Sequence, residues 1–525
     1  MNSIIRLNTT TSSLLITLAV LCLWLLPQMQ AAPQVAPAPD GCYPGFTTAE
    51  GCNALQFLGA GAGNTGVGWY SLYLVGGGNF NTGVGAGTLV LNTADSNTAV
   101  GAAALLLNTT GTRNVAVGTD ALVYNDSGSY NSAVGGFALF HNLTGSRNNA
   151  FGDSALAFNV TANDNTAIGD SALENNDMTG NGLANSNTAV GAGALLSNTD
   201  GDSNTAVGSQ ALFSNVTALH NTATGAGALK SHIVGDRNTA NGANALFSDV
   251  SGQLNTAIGA GALFSNTGGP PFPSSFNTAI GASALGNNTG GENTATGANA
   301  LVSNITGNDN TAVGIGALVS NASGNGNVAL GSFAGNQQTT GSNNVYIGTQ
   351  IGGTAGESDA CYIASIFGQT SVNGVAVLIN SNNKLGTLTS SKRFKEDIKP
   401  MDHASEALFA LAPVTFRYKK EIDPAGKSQF GLVAEEVAKV NPDLVVRDKE
   451  GKPYSVRYEQ VNAMLLNEFL KEHRRNEEQE ATIAQLKKEM ETVVARLKEH
   501  DSKIQRVSTH IELSGAVAQT ALNNR

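Results

Sequence analysis

Few residues of this 525-residue chain stand in arrangements that could do chemistry. The seven His show no metal-ligand spacing. No Walker motif is present, and no carboxylate pair stands apart from the repetition described below. No metal and no cofactor are therefore expected. Gly61, Gly63 and Gly66 satisfy G-x-G-x-x-G, but the strand–helix context that would seat a pyrophosphate is missing. Asn-x-Ser/Thr triplets at Asn108, Asn142, Asn159, Asn215 and Asn304 arise from a repeated turn and do not by themselves indicate glycosylation. The segment SSKRFKEDI, which begins at Ser390, is different because it places Ser390 and Lys395 among cations. A Ser hydroxyl is a weak nucleophile and needs a base. A Lys amine can be that base if burial and nearby positive charge, here Lys392 and Arg393, drive its pKa towards neutrality. By type alone, Ser390 and Lys395 read as ordinary residues at the start of a charged domain.

Charge marks that start. Residues 390–525 hold 23 of the 29 Lys+Arg and 22 of the 40 Asp+Glu, whereas the preceding residues carry a net −12. That long stretch has no basic patch for a phosphate backbone, so no nucleic-acid partner is expected. Charged residues are 13% of the chain and Gly numbers 62, a composition that points away from an ordinary globular enzyme. At the N-terminus, Arg6, an apolar run over 14–26 and Ala31-Ala32 form a secretory signal pattern over 1–32. The other reading is a membrane anchor, but the apolar run is shorter than the roughly 20 residues a span needs. Export to the medium or the cell surface is expected, with no membrane span once the signal is removed. An oxidising compartment permits a disulfide between Cys42 and Cys52. Cys361 is then expected to be a small buried residue.

Self-similarity dominates the middle of the chain. The unit is Asn-x-Ala-Val-Gly-x-x-Ala-Leu-x-x-Asn-x-x-Gly-x-x, as in NTAVGAAALLLNTTGTR from Asn97, and seventeen copies begin between Asn64 and Asn344. The spacing is 17 residues except for two of 16 and two of 22, and the long spacings insert NNDMTGNGLANS and SNTGGPPFPSS. A unit this short suits two strands and two turns, one coil of a parallel β-solenoid. The fourth position is apolar in fourteen copies, the exceptions being Thr224, Asn241 and Thr296, and the Gly after it is present in all seventeen. That Gly implies φ > 0 or close approach between coils. Each strand is expected to bury one apolar side chain and one Ala, leaving a coil almost no core of its own, so coils must stack. The leading Asn tolerates αL, and stacked copies would form a ladder. At about 4.8 Å per coil the shaft would extend on the order of 80 Å.

From Ser390 the pattern changes. Val414, Phe416 and Tyr418 alternate as in a half-buried strand, and Val433, Val437 and Val440 share a helical face that ends at Asn441-Pro442. Tyr454, Val456 and Tyr458 suggest another strand. A heptad pattern follows, with Ile483, Met490, Leu497, Ile504 and Ile511 at a, and Leu486, Val493, His500 and Val507 at d. It predicts a coiled coil compatible with three strands, the other reading being an amphipathic helix packed on its own domain.

The repeats over 64–350 resemble the head repeats of trimeric autotransporter adhesins, which wind three chains into a parallel β-roll. That family ends in a membrane-inserting barrel, whereas this chain ends in a charged tail closing with ALNNR, so a self-anchoring autotransporter is not expected. Residues 390–475 resemble the intramolecular chaperone of endosialidase and other phage tail spikes. The matching segments are SSKRFKEDI at 390–398, GLVAEEV at 431–437 and VRYEQVNAMLL at 456–466. The resemblance implies a domain that trimerises, helps the preceding fibre fold, and cuts itself off immediately before a Ser that works with a Lys five residues on. By position these are Ser390 and Lys395, with the cut between Thr389 and Ser390. The family has Asp or Asn after that Ser, where this chain has Ser391.

The expected fold is mainly β. A signal (1–32), a Pro/Gly-rich segment and cap (33–63), the solenoid shaft (64–350) and a junction (351–389) precede a small α+β chaperone domain (390–475), a coiled coil (476–513) and a tail (514–525). The expected function is an exported homotrimeric fibre with a self-cleaving chaperone and no external substrate. The alternative is an adhesin with a non-cleaving trimerisation tail. A surface glycan or host ligand fits either reading.

Overall fold

A computed structural model describes residues 45–267 and 274–522, with side chains up to residue 515. The expected signal segment and Cys42, with its pairing to Cys52, lie outside the described residues. The chain forms two units, 1–369 and 370–525.

In the first unit nineteen strands of three residues, β1 (Thr48–Glu50) to β19 (Cys361–Ile363), pair in sequence order into one parallel sheet. Register is kept through both long insertions, since Thr166 pairs with Thr188 and Thr256 with Thr278. The solenoid is therefore present, with one strand per coil where two were expected. The second apolar stretch, Ala-Leu, lies instead in a turn.

That difference reverses which side chains are buried. A three-residue strand turns only its middle residue inward, and in most coils this is Ala at the third position, as in Ala116, Ala133 and Ala150. The interior is completed by Ala and Leu of the eighth and ninth positions, such as Ala138 and Leu139, all fully buried. The apolar fourth position, expected inside, faces outward, and Phe151 and Ile168 are 42% and 44% exposed. Cys361 likewise opens the outermost strand and is exposed rather than buried.

Backbone conformation follows the same period. In the coil of Asn148, Ser154, Leu156 and Asp164 all adopt φ between 53° and 62°. αL therefore falls on the residue before the leading Asn rather than on that Asn. The invariant Gly meets both demands read from sequence. Gly135 has φ +140°, and a Cβ there would lie 2.2 Å from the carbonyl oxygen of Gly152 in the next coil.

Two buried amide ladders tie coil to coil. In the first, Asn131 donates its backbone N–H to Asn114 Oδ1 at 2.9 Å and Nδ2 to Gly145 O at 2.9 Å, while its own Oδ1 accepts from Asn148 N at 3.0 Å. In the second, at the twelfth position, Asn142 Nδ2 donates to Asn125 Oδ1 at 2.7 Å and to Gly145 O at 2.8 Å. Asn108, Asn142, Asn159, Asn215 and Asn304 belong to this second ladder and are fully buried. A folded shaft therefore cannot carry glycans on them.

The first insertion is organised by buried Asp177, whose carboxylate accepts from Thr161 N, Thr161 Oγ1, Ala162 N and Gly182 N. At the far end Tyr346 replaces the inward Ala and stacks on Tyr362, with centroids 5.6 Å apart. Burial, followed by the charge of Glu357, pushes the Tyr346 phenol up to about 12.

Asn131→Ala would leave buried Asn148 N without its acceptor, at about 1–3 kcal/mol, and take from Gly145 O one of its two donors, at about 0.5–1.5 kcal/mol. We expect a loss of about 2–4 kcal/mol in guanidinium unfolding, and a loss at least as large for Gly135→Ala, where positive φ and a backbone clash combine.

Candidate functional site

In the second unit a hairpin of β20 (Val377–Ile379) and β21 (Leu385–Thr387) leads into Thr389 and Ser390. A single 3-10 turn over Lys392–Phe394 follows, closed by Phe394 N donating to Ser391 O and Lys395 N to Lys392 O. This turn folds the chain back so that the residues flanking it meet, and Lys395 Nζ donates to Ser390 Oγ at 3.1 Å. The geometry needed for proton transfer between hydroxyl and amine is present. Both side chains are exposed. Arg393 lies with its guanidinium 4.8 Å from the Phe394 ring centroid, keeping positive charge on the same turn.

The rest of the unit builds a small core of its own. Strand β22 (Val414–Phe416) pairs antiparallel with β23 (Gln429–Gly431), and Tyr418 falls beyond the strand predicted to include it. Helix α1 (Ala434–Val440) is followed by a β24 (Val445–Arg447) and β25 (Pro453–Val456) hairpin. Tyr458, read as part of that last strand, instead opens α2 (Tyr458–Leu522). A small core collects Val437, Leu444, Val445, Val456 and Met464. The segments at 431–437 and 456–466 supply most of it, and Tyr458 Oη accepts from Leu432 N at 3.0 Å.

A second polar cluster escaped the sequence reading. Ser405, on a 3-10 helix over Asp402–Ala410, is fully buried against α2. Its Oγ donates to Glu468 Oε1 at 2.5 Å and accepts from Asn467 Nδ2 at 2.7 Å, while Lys471 Nζ donates to Glu468 at 2.7 Å. The Lys471 ammonium, then the Ser405 hydroxyl, holds the Glu468 carboxyl below its usual range. Glu468 and Lys471 stand at helical i,i+3 spacing, which sequence can show, but nothing in sequence announces that a lone Ser lies beneath them. An open groove of about 650 Å³ beside this cluster is lined by residues such as His403, Lys471, Arg474 and Arg475, and includes neither Ser390 nor Lys395.

The candidate motif Gly61, Gly63 and Gly66 serves the shaft. Gly66 takes the inward position of its strand and no helix follows. Among the described residues no helix is long and apolar enough to cross a membrane.

Residues 390–446 match the family model described as chaperone of endosialidase, as the sequence reading anticipated, and the match begins at Ser390. No curated protein and no solved structure matches the chain.

The two Ser-containing clusters should respond oppositely to mutation. Ser405→Ala removes a buried hydroxyl with several partners and is expected to lower the stability of the C-terminal unit by about 1–2 kcal/mol in urea. Ser390→Ala and Lys395→Met touch exposed groups and should leave it within about 0.5 kcal/mol.

Proposed function

We propose that the chain is an exported, trimeric, tail-spike-like fibre whose C-terminal chaperone drives assembly and then cuts the bond between Thr389 and Ser390. The observation that carries this reading is the outward apolar row. Val100, Val117, Val134, Phe151, Ile168, Val190 and Val207 follow one another as register partners down a single face of the sheet. A continuous apolar stripe on an otherwise polar, acidic shaft is a surface for another molecule. Further copies of the same chain, having the same rise per coil, match it along its length.

A second stripe runs along α2, where Ile483, Leu486, Met490, Val493, Leu497, Ile504, Val507 and Ile511 are all at least half exposed in the single chain. Heptad spacing on a 65-residue helix suits a three-stranded coiled coil. The N-terminal signal pattern supports export to the medium or the cell surface.

The cleavage step uses the pair at 3.1 Å. Ser390 Oγ attacks the Thr389 carbonyl carbon and gives its proton to a neutral Lys395 amine. The Thr389–Ser390 amide bond breaks, the leaving Ser390 nitrogen takes that proton, and water hydrolyses the resulting ester to a Thr389 carboxylate and a free Ser390. In that hydrogen bond the amine is the donor, so the roles must reverse before Ser390 can give up its proton. In a single chain Lys395 is open to water. Neighbouring chains would desolvate it, and desolvation disfavours the charged amine. Cutting therefore waits for assembly.

The second reading, an adhesin with a non-cleaving trimerising tail, is favoured by Ser391 in the place where the family has Asp or Asn. One experiment separates the two. Wild type should sediment as a trimer and release a 136-residue fragment, residues 390–525. Ser390→Ala and Lys395→Ala should stay full length yet trimeric. Val117→Asp with Ile168→Asp should shift the shaft towards smaller species without unfolding its coils. A trimer that never cuts leaves the adhesin reading, and a stable wild-type monomer removes both.

A further inference from the structure

The twelfth-position ladder is almost uniform. Each Asn donates Nδ2 to the Asn one coil earlier and to a carbonyl two or three residues ahead in most coils, as Asn108 does to Asn92 Oδ1 at 2.6 Å and Gly111 O at 3.0 Å. Any such coil can therefore stack on any other. A chain that loops out one coil, or skips one, loses little at this ladder, and seventeen near-identical units offer many such errors.

Two adjacent coils break the uniformity. His232 and Asp249 take the ladder position in the coils of Asn221 and Asn238, and both side chains are fully buried. His232 Nδ1 lies 2.8 Å from Asp249 Oδ2, and Nε2 lies 2.7 Å from Gly235 O. Both ring nitrogens face oxygen atoms, so the ring and the Asp249 carboxyl complete each other's hydrogen bonding. Asp249 Oδ1 accepts from Asn266 Nδ2 at 2.8 Å, which rejoins the amide ladder. On the other side Asn215 Oδ1, which would accept from an Asn at 232, is buried without a partner. An ionisable pair is buried and one acceptor is orphaned where a pair of asparagines would satisfy every group, an arrangement that stability alone does not favour.

The same two coils depart from the repeat on the outside as well. Thr224 and Asn241 interrupt the outward apolar row, and they are register partners of each other.

We infer that the pair of His232 and Asp249 is a register lock: the ring and the carboxyl meet only when the coil of Asn221 stacks directly under the coil of Asn238. In any slipped arrangement His232 and Asp249 each meet an amide instead of each other, leaving polar atoms without their partners in a closed interior. The lock sits between the two insertions, in a stretch of four successive coils, those of Asn187, Asn204, Asn221 and Asn238, with no irregular spacing to mark position. It acts within each chain and does not depend on trimer formation or on cleavage.

The test uses the full chain, unfolded in guanidinium and refolded by dilution, with hydrogen exchange and limited proteolysis reporting how many folded species return. The H232N/D249N variant restores a uniform ladder. It should unfold at the same or a higher guanidinium concentration than wild type, yet return at least threefold less of the single native species, the rest being protease-resistant forms with altered protection. D249N alone, which leaves the buried ring without its carboxyl partner, should unfold earlier than either. Moving the pair by adding N198H and N215D to H232N/D249N should restore the native yield. A double variant that refolds to one species at wild-type yield overturns the lock. So does a relocated pair that fails to rescue, and so does a double variant less stable than wild type, because the pair would then serve local stability.

Discussion

Every feature of the shaft depends on the hydrogen bonds that one coil makes to the next, because a coil has almost nothing with which to hold itself. Its interior is one Leu and two small residues, and its backbone carries several αL residues that are individually unfavourable by about 1 kcal/mol or more. The Leu at the ninth position is itself one of them, with φ near 52° in coil after coil. Such a backbone persists only where the coils above and below over-determine it. The leading Asn does this by joining three coils, since it contacts the backbone or side chain of the unit on each side. Close stacking then leaves no room for a Cβ at the invariant Gly.

A structure held by nearest-neighbour contacts has an inherent ambiguity. What stabilises a coil on its proper neighbour also stabilises it on a wrong one, and the amide ladders are the strongest and least discriminating of these contacts. Discrimination must come from departures from the repeat. The ends have theirs, with Tyr346 and Tyr362 filling the last coils. The insertions have theirs, with Asp177 gathering four donors around a bulge that no regular coil could reproduce. The central run has the buried pair of His232 and Asp249. In this light the irregular residues of the shaft carry its specificity, and the regular ones carry its stability.

The period, the demand on the invariant Gly and the ladder of leading asparagines were legible in sequence because each rests on a local rule: glycine alone tolerates the backbone at the fifth position, and asparagine alone supplies an amide of that length. The direction of the apolar side chains was not legible. Val at the fourth position and Leu at the ninth are both apolar, and a strand of three residues gives too short an alternation to say which faces in. The answer came from volume: an interior built on Ala in the strand has room for Leu arriving from the turn and none for a second branched side chain. Ser405 was missed for a related reason, since its partners lie over sixty residues away on α2. His232 and Asp249 were visible as substitutions in aligned repeats, but their pairing needed the knowledge that the twelfth position points inward.

Contrasting the two hydroxyls of the C-terminal unit clarifies what chemistry there requires. Ser405 is buried and saturated with partners, so its environment is complete within one chain and offers no route to reaction. Ser390 meets one amine and is otherwise open, so its environment is incomplete. An exposed ammonium is a poor base whatever its distance from a hydroxyl, and the missing element, removal of water, is what an apolar outward row and an unpartnered helix stripe would bring when copies come together. On the proposed reading the chain therefore stores its cutting site in a state that is geometrically ready and electrostatically unready, and assembly itself supplies the difference.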